Sequence, residues 1–201
     1  MNMRAIGAVA AAVLLAAAPA ALAQGAAEPP KADAAKKDTT GAKAPEIPKP
    51  APEMAMLDYF EGTWTCEGTV KDSPFGPGGK IKSSATIHDA MRGFWQAGEI
   101  KGTMPNMPPF EGRFHTTYEP SSKQYMMLWV DNMGAWSRST SKGWEGDKMV
   151  YEGEMSMGGQ KMMGRDTFVK DGEGTMKHSW EMQMDGKWTP MGDETCKKTS
   201  K

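Results

Sequence analysis

From Met54 to Lys201 the chain alternates apolar and polar positions over short runs. Met149, Tyr151, Met155 and Met157 fall on one parity, with Glu152, Glu154 and Ser156 on the other. The same period sets Met176, His178, Trp180, Met182 and Met184 against Lys177, Ser179, Glu181 and Gln183. Phe110, Phe114 and Tyr118 likewise alternate with Glu111, Arg113 and His115. Strand side chains point to opposite faces in turn, so each series marks one face of a half-buried strand. Asp171-Gly172 and Asp185-Gly186 punctuate these runs as hairpin signals, because Asp and Gly accept the positive φ of type I′ turns. Gly158-Gly159, Glu145-Gly146-Asp147, Asn132-Met133-Gly134 and Pro120-Ser121-Ser122 mark further turns. Only Met54 to Phe60 predicts a helix, a short one ahead of the first strand.

The runs between turns number about ten. Consecutive hairpins of that number predict an all-β fold, an antiparallel up-and-down β-barrel or half-barrel that removes exposed edges; a two-sheet sandwich is the alternative. The two cysteines sharpen the choice. Cys66 sits in the first predicted strand and Cys196 in the last. A closed meander with an even strand count makes those strands antiparallel neighbours, which predicts a disulfide that closes the barrel. The alternative is two free thiols. Such a bridge stabilises by at most about 4–5 kcal/mol on the chain-entropy account.

Composition changes the picture toward the N-terminus. Arg4, the apolar run Ile6 to Ala18 and the small-x-small site Ala21-Leu22-Ala23 have the order of a secretory signal peptide, cleaved after Ala23. That run is shorter than the roughly 20 apolar residues a membrane span requires. A periplasmic or secreted location follows as the expectation, and an oxidising compartment suits the cysteine pair. Residues 24–53 are nearly all Ala, Pro, Lys, Glu, Asp and Thr, with Ile47 alone among aliphatics larger than Ala. A segment of that kind cannot bury enough apolar surface to offset the entropy of ordering it, and reads as a linker. Residues 54–201 then form one domain, which holds all seven Trp. The formal net charge of −1 offers no basic footprint for nucleic acid, and no later apolar run predicts a membrane span. Neither oligomeric state nor a cofactor is indicated.

Leu57-Asp58-Tyr59-Phe60-Glu61-Gly62-Thr63-Trp64 brings a short apolar lead into Gly-x-Trp at the start of strand one. This resembles the opening of calycin-type barrels, the lipocalins and their relatives, in which the Trp plugs the closed end. Pro109-Phe110-Glu111-Gly112, Thr117-Tyr118-Glu119, Leu128-Trp129-Val130-Asp131, Gly153-Glu154-Met155 and Arg165-Asp166 follow in order. As an ordered set they resemble the DUF1579 family of bacterial domains, over most of Leu57 to Lys197. The resemblance implies a lipocalin-like barrel and brings no activity or catalytic residues. The sequence departs from true lipocalins in having no last-strand Arg to stack on the Trp; Lys197 and Lys198 are the nearest cations.

The chain holds nineteen Met, and its domain has few Leu, Ile or Val. Met is flexible and polarizable, and suits either a promiscuous apolar pocket or simple core filling. Trp64, Tyr118, Trp129, Tyr151, Met155, Trp180 and Met182, with His178 beside them, are the candidate lining of a pocket for a small apolar or amphipathic ligand. Met155-Ser156-Met157 and Met182-Gln183-Met184 carry thioethers suited to Cu(I), although strand alternation alone produces that spacing. His178, between Met176 and Trp180, reads as a core or rim His, with a haem axial ligand as the functional alternative. His88 and His115 fall on the polar parity. Asp131, Arg138 and Asp166 form a candidate inward polar cluster. Phe75-Gly76-Pro77-Gly78-Gly79-Lys80 leads into a strand, so it reads as a hairpin loop and not a phosphate cradle. No catalytic motif is present. The leading expectation is a non-enzymatic ligand-binding barrel. A structural or interaction module of the cell envelope with a filled core comes next, and an enzyme last.

Overall fold

A computed structural model describes residues 46–103 and 107–200. The expected signal peptide and most of the expected linker lie outside the described residues. A 3-10 helix at Pro52–Phe60 precedes eleven strands. They are β1 (Gly62–Val70), β2 (Gly79–Ala90), β3 (Trp95–Thr103), β4 (Phe110–Glu119), β5 (Gln124–Asp131) and β6 (Trp136–Ser141). After them come β7 (Trp144–Glu145), β8 (Lys148–Met157), β9 (Gln160–Lys170), β10 (Thr175–Met184) and β11 (Lys187–Ser200). A one-turn 3-10 segment at Met91–Gly93 joins β2 to β3.

All pairings are antiparallel and nearly all join sequential strands. Two further pairings close the ring: β1 with β11, and β6 with β8. β7 is a two-residue hairpin arm on β8 outside the ring, so ten strands form a closed antiparallel barrel. The sandwich and half-barrel alternatives are thereby excluded. Asp185 and Gly186 take the two positive φ values of a type I′ turn between Met184 and Lys187. The Asp171-Gly172 connection is longer than a two-residue turn, since Asp171 keeps negative φ and its N–H donates to the Thr175 carbonyl.

Cys66 and Cys196 are register partners on β1 and β11, joined as a disulfide across 130 residues of sequence. Successive inward positions define levels from this seam. Trp64 and Lys198 pair one step toward the helix; Gly68 and Glu194, then Val70 and Gly192, lie toward the other end.

The 3-10 helix closes the barrel on the Trp64 side. It includes Pro52 and Glu53, two residues whose composition matched the linker. Leu57 and Phe60 are its buried residues, and they join Trp64, Ile87, Tyr125 and Met149 in one core. Barrel side chains fasten the helix through its carbonyls. Tyr125 Oη donates to Glu53, Trp144 Nε1 to Met56, Gln96 Nε2 to Leu57, Lys198 Nζ to Tyr59 and Trp64 Nε1 to Phe60, all between 2.7 and 3.0 Å. Nine residues of 3-10 helix are an unfavourable length, and these donors are what sustain them. Trp64 is fully buried. The Lys198 ammonium lies 4.7 Å from its ring centroid, so a lysine takes the place of the lipocalin arginine.

Candidate functional site

Above the docked helix the barrel is hollow on both sides of the seam. A cavity of about 310 Å³ is lined by Leu57 and Phe60 of the helix and by inward residues of β1–β6 and β8–β11. The volume stands at the low end of small-molecule sites, which run from about 300 to 1,000 Å³. The space arises from where glycines stand. A Cβ on Gly112 would meet the Trp129 ring, one on Gly192 the Trp180 ring, and one on Gly164 the Met155 sulfur. These side chains therefore lie along the wall and leave the lumen open.

Six of the eight expected lining residues reach this cavity: Trp129, Tyr151, Met155, His178, Trp180 and Met182. Trp64 and Tyr118 do not. Trp64 is sealed into the plug, and Tyr118 packs on Tyr125 at 5.2 Å while its backbone N–H meets Met54 Sδ. Their parity is inward as expected, but they stand too far down the barrel axis.

The wall formed by β9, β10 and β11 carries a charged group of three. His178 Nδ1 lies 3.0 Å from Glu194 Oε1, and His178 Nε2 lies 3.0 Å from Asp166 Oδ1. Ser83 Oγ donates to the second Glu194 oxygen. The imidazole stacks on Phe168, with centroids 4.4 Å apart and planes 6° from parallel. Only 18% of the His178 side chain and 14% of Glu194 are exposed. Burial opposes the cation, but hydrogen bonds to the Asp166 and Glu194 carboxylates, aided by their charges, outweigh it and push the His178 pKa up to about 9. At neutral pH both ring nitrogens therefore donate. No lone pair remains for iron, and this geometry does not favour the haem-ligand alternative.

The expected Asp131–Arg138–Asp166 cluster is not assembled. Arg138 is exposed, paired in register with exposed Leu128 and Glu154. Asp131 sits where β5 ends, accepting the N–H groups of Met133 and Ala135 and the Trp129 indole. Asp166 alone joins His178. His88 is exposed, and His115 packs beside Trp95.

Methionine divides between the two roles. Met149 and Met191 are buried outside the lining, Met127, Met176 and Met182 are buried and line the cavity, and Met155 and Met157 face it while less buried. The two Met-x-Met pairs lie on β8 and β10 with β9 between them, and Met184 is not part of the lining. Among the described residues, Cys66, Glu194 and Cys196 form the one group of His, Cys, Asp and Glu with metal-holding spacing. Its cysteines are bonded to each other and offer no thiolate.

Sequence reasoning missed Glu194, Gln96, Thr116 and Ser139. Glu194 was within reach, two residues from Cys196 and so on the same face. The others belong to one register row, Gln96–Thr116–Met127–Ser139, that crosses β3 to β6. Thr116 Oγ1 and Tyr151 Oη lie 3.1 Å apart across the interior. Gln96 Oε1 and Ser139 Oγ are buried with no hydrogen-bond partner among the described residues. The β6 sequence, Trp-Ser-Arg-Ser-Thr-Ser, has no apolar alternation that would mark its inner face.

The model of the family described as "Protein of unknown function (DUF1579)" matches residues 49–198. No curated protein matches the chain. Among solved structures, the crystal structure of Rv2717c from M. tuberculosis is similar with a TM-score of 0.60 at 11% identity, covering 75% of this chain and 99% of that one. A redesigned beta barrel, b11L5F_LGL, matches with a TM-score of 0.39 at 14% identity, covering 73% of this chain and 94% of its own. The first likeness concerns the barrel fold alone, in keeping with the ten-stranded ring, and over three quarters of its length the chain belongs to the DUF1579 family.

Proposed function

We propose that this is an exported, non-enzymatic barrel that binds a small apolar or amphipathic molecule in its interior. The observation that carries the reading is the cavity itself. Its wall carries several Met and aromatic side chains among other residues, it is closed at one end by the fastened helix, and it is kept open by glycines under the rings. A protein selected only for stability gains by filling such a space, because cavities cost dispersion and burial energy. Export is supported by the signal-like N-terminus and by a disulfide of the kind that persists in oxidising compartments.

Native mass spectrometry of protein purified from its own host tests the reading. A small-molecule mass that accompanies the folded chain and leaves on denaturation is the expected result. Consistent absence of such a mass overturns it and favours an interaction module that uses the outer surface.

A further inference from the structure

The cavity has a polarity, and it points to the kind of molecule that fits. Its polar atoms fall into two groups, one with an unpaired amide oxygen beside an unpaired hydroxyl and one that is negatively charged. In the row that crosses β3 to β6, Gln96 is 1% exposed and Ser139 is 4% exposed. The Gln96 amide nitrogen is committed to the Leu57 carbonyl, which accepts only from a donor, so the oxygen is fixed as the unpaired end. Ser139 Oγ is also unpaired. A buried oxygen without a partner costs about 1–3 kcal/mol, so two in one small cavity mark positions meant to be met by something absent from the chain.

The second group is the charged wall. With His178 protonated between Asp166 and Glu194, the three carry net charge −1. Asp166 makes its hydrogen bond through Oδ1, and among the described residues no donor meets Oδ2. The remaining cations on the lining are spent elsewhere. Lys82 pairs with Glu67 at 2.8 Å, where both side chains are largely exposed, and Arg165 pairs with Glu152 and Glu181 while stacking on Trp188. An anionic head entering this space meets the like charge of the wall and the acceptor oxygen of Gln96. A cationic donor meets the opposite.

We infer that the cavity takes an amphipathic amine, or another apolar molecule with a cationic hydrogen-bond-donor head. The head lies among Gln96, Ser139 and the free Asp166 oxygen, and the apolar body lies toward Trp129, Trp180 and Met157. This rests on the proposed ligand-binding function and gives it a substrate class. An ammonium head supplies three donors, and the surrounding apolar wall strengthens its attraction to the carboxylates by lowering the local dielectric. Ordered water is the competing occupant of the same polar positions.

The test uses decylamine, decanol and decanoate, probes of equal chain length, titrated below micelle formation against delipidated full-length protein at pH 7. Intrinsic Trp fluorescence reports occupancy, since Trp129 and Trp180 line the space. Decylamine is expected to bind at least about tenfold more tightly than decanoate, with decanol between. Equal or tighter binding of decanoate overturns the charge inference and leaves the cavity reading standing. Binding of none of the three overturns both. Ser139→Ala removes an unpaired buried oxygen, so it should fold at least as well as the parent while weakening decylamine several-fold and decanol less. Asp166→Asn should weaken decylamine about tenfold by the loss of charge. Unchanged amine affinity in Ser139→Ala and in folded Asp166→Asn means water fills those positions, and the inference fails.

Discussion

Around Trp64 and the docked helix the barrel is solid; from Leu57 and Phe60 past the Cys66–Cys196 bridge its interior is hollow, although both regions obey the same two-residue alternation. The solid end holds the larger share of fully buried residues, with Leu57, Trp64 and Met149 at or near zero exposure. Its aromatic rings meet in a continuous set: Tyr59, Phe60, Trp64, Trp144 and Phe168 touch one another at 5.2–5.8 Å. Lys170 and Lys198 cover that set from outside through their ammonium groups. At the hollow end equally large rings lie along the wall over glycines. Large apolar residues thus build a filled core or a lined cavity according to whether their inward neighbours have side chains. The difference between the regions is one of neighbours, not of hydrophobicity.

The disulfide seam gives the largest expected effect. Replacing both cysteines, Cys66→Ser with Cys196→Ser, should lower unfolding free energy by up to about 5 kcal/mol in denaturant titration. A loss below about 1 kcal/mol would mean that strand pairing alone holds the seam. Next comes Trp64→Ala, which opens a void in the solid end, leaves the Phe60 carbonyl without its donor and uncovers Lys198. The expected loss is about 3–5 kcal/mol by thermal or chemical unfolding. If Trp180→Ala at the hollow end costs as much, the contrast drawn between the ends is false.

The charged wall gives a pH signature. Because the folded pKa of His178 is raised from 6.5 to about 9, its stabilising contribution is full below about pH 6.5 and is lost as pH rises through about 9. The size is on the order of 3 kcal/mol. Melting curves from pH 6 to 10 should show this alkaline decline in the parent and its absence in His178→Gln. Superimposable profiles would refute it. The smallest effect is expected for Met155→Ala, which enlarges a space that is already open, and should cost about 1 kcal/mol, well below a filled-core Met→Ala change. Met149→Ala, in the solid end, is the matched control and should cost at least twice as much.

Alternation made the inner faces of β4, β8 and β10 legible in the sequence, and the placing of two cysteines in the first and last strands implied the closed ring. Parity tells which face a residue occupies, not how far down the barrel it stands. Trp64 and Tyr118 were therefore grouped with residues several levels away. The Asp171-Gly172 connection departs from a tight turn because Tyr59 Oη, on the docked helix, bonds the Gly172 and Thr175 carbonyls. That is a tertiary contact with no local signal. Apolar periodicity also passes over polar inward residues. Gln96, Ser139 and Thr116 break the pattern used to find the wall they belong to, and they carry the most specific chemistry in the cavity.

The pairing of β1 with β11 also sets an order in time. β1 has two partners, β2 beside it in sequence and β11 at the far terminus, whose register reaches Ser200. A growing chain can form each hairpin as it emerges, but the ring stays open until β11 is made. Glu194 and Lys198, which complete the charged wall and cover Trp64, arrive with that same strand. Loss of residues 187–200 would therefore remove the closure, the disulfide and one side of the binding wall together. In this molecule, adding β11 and completing the site are one event.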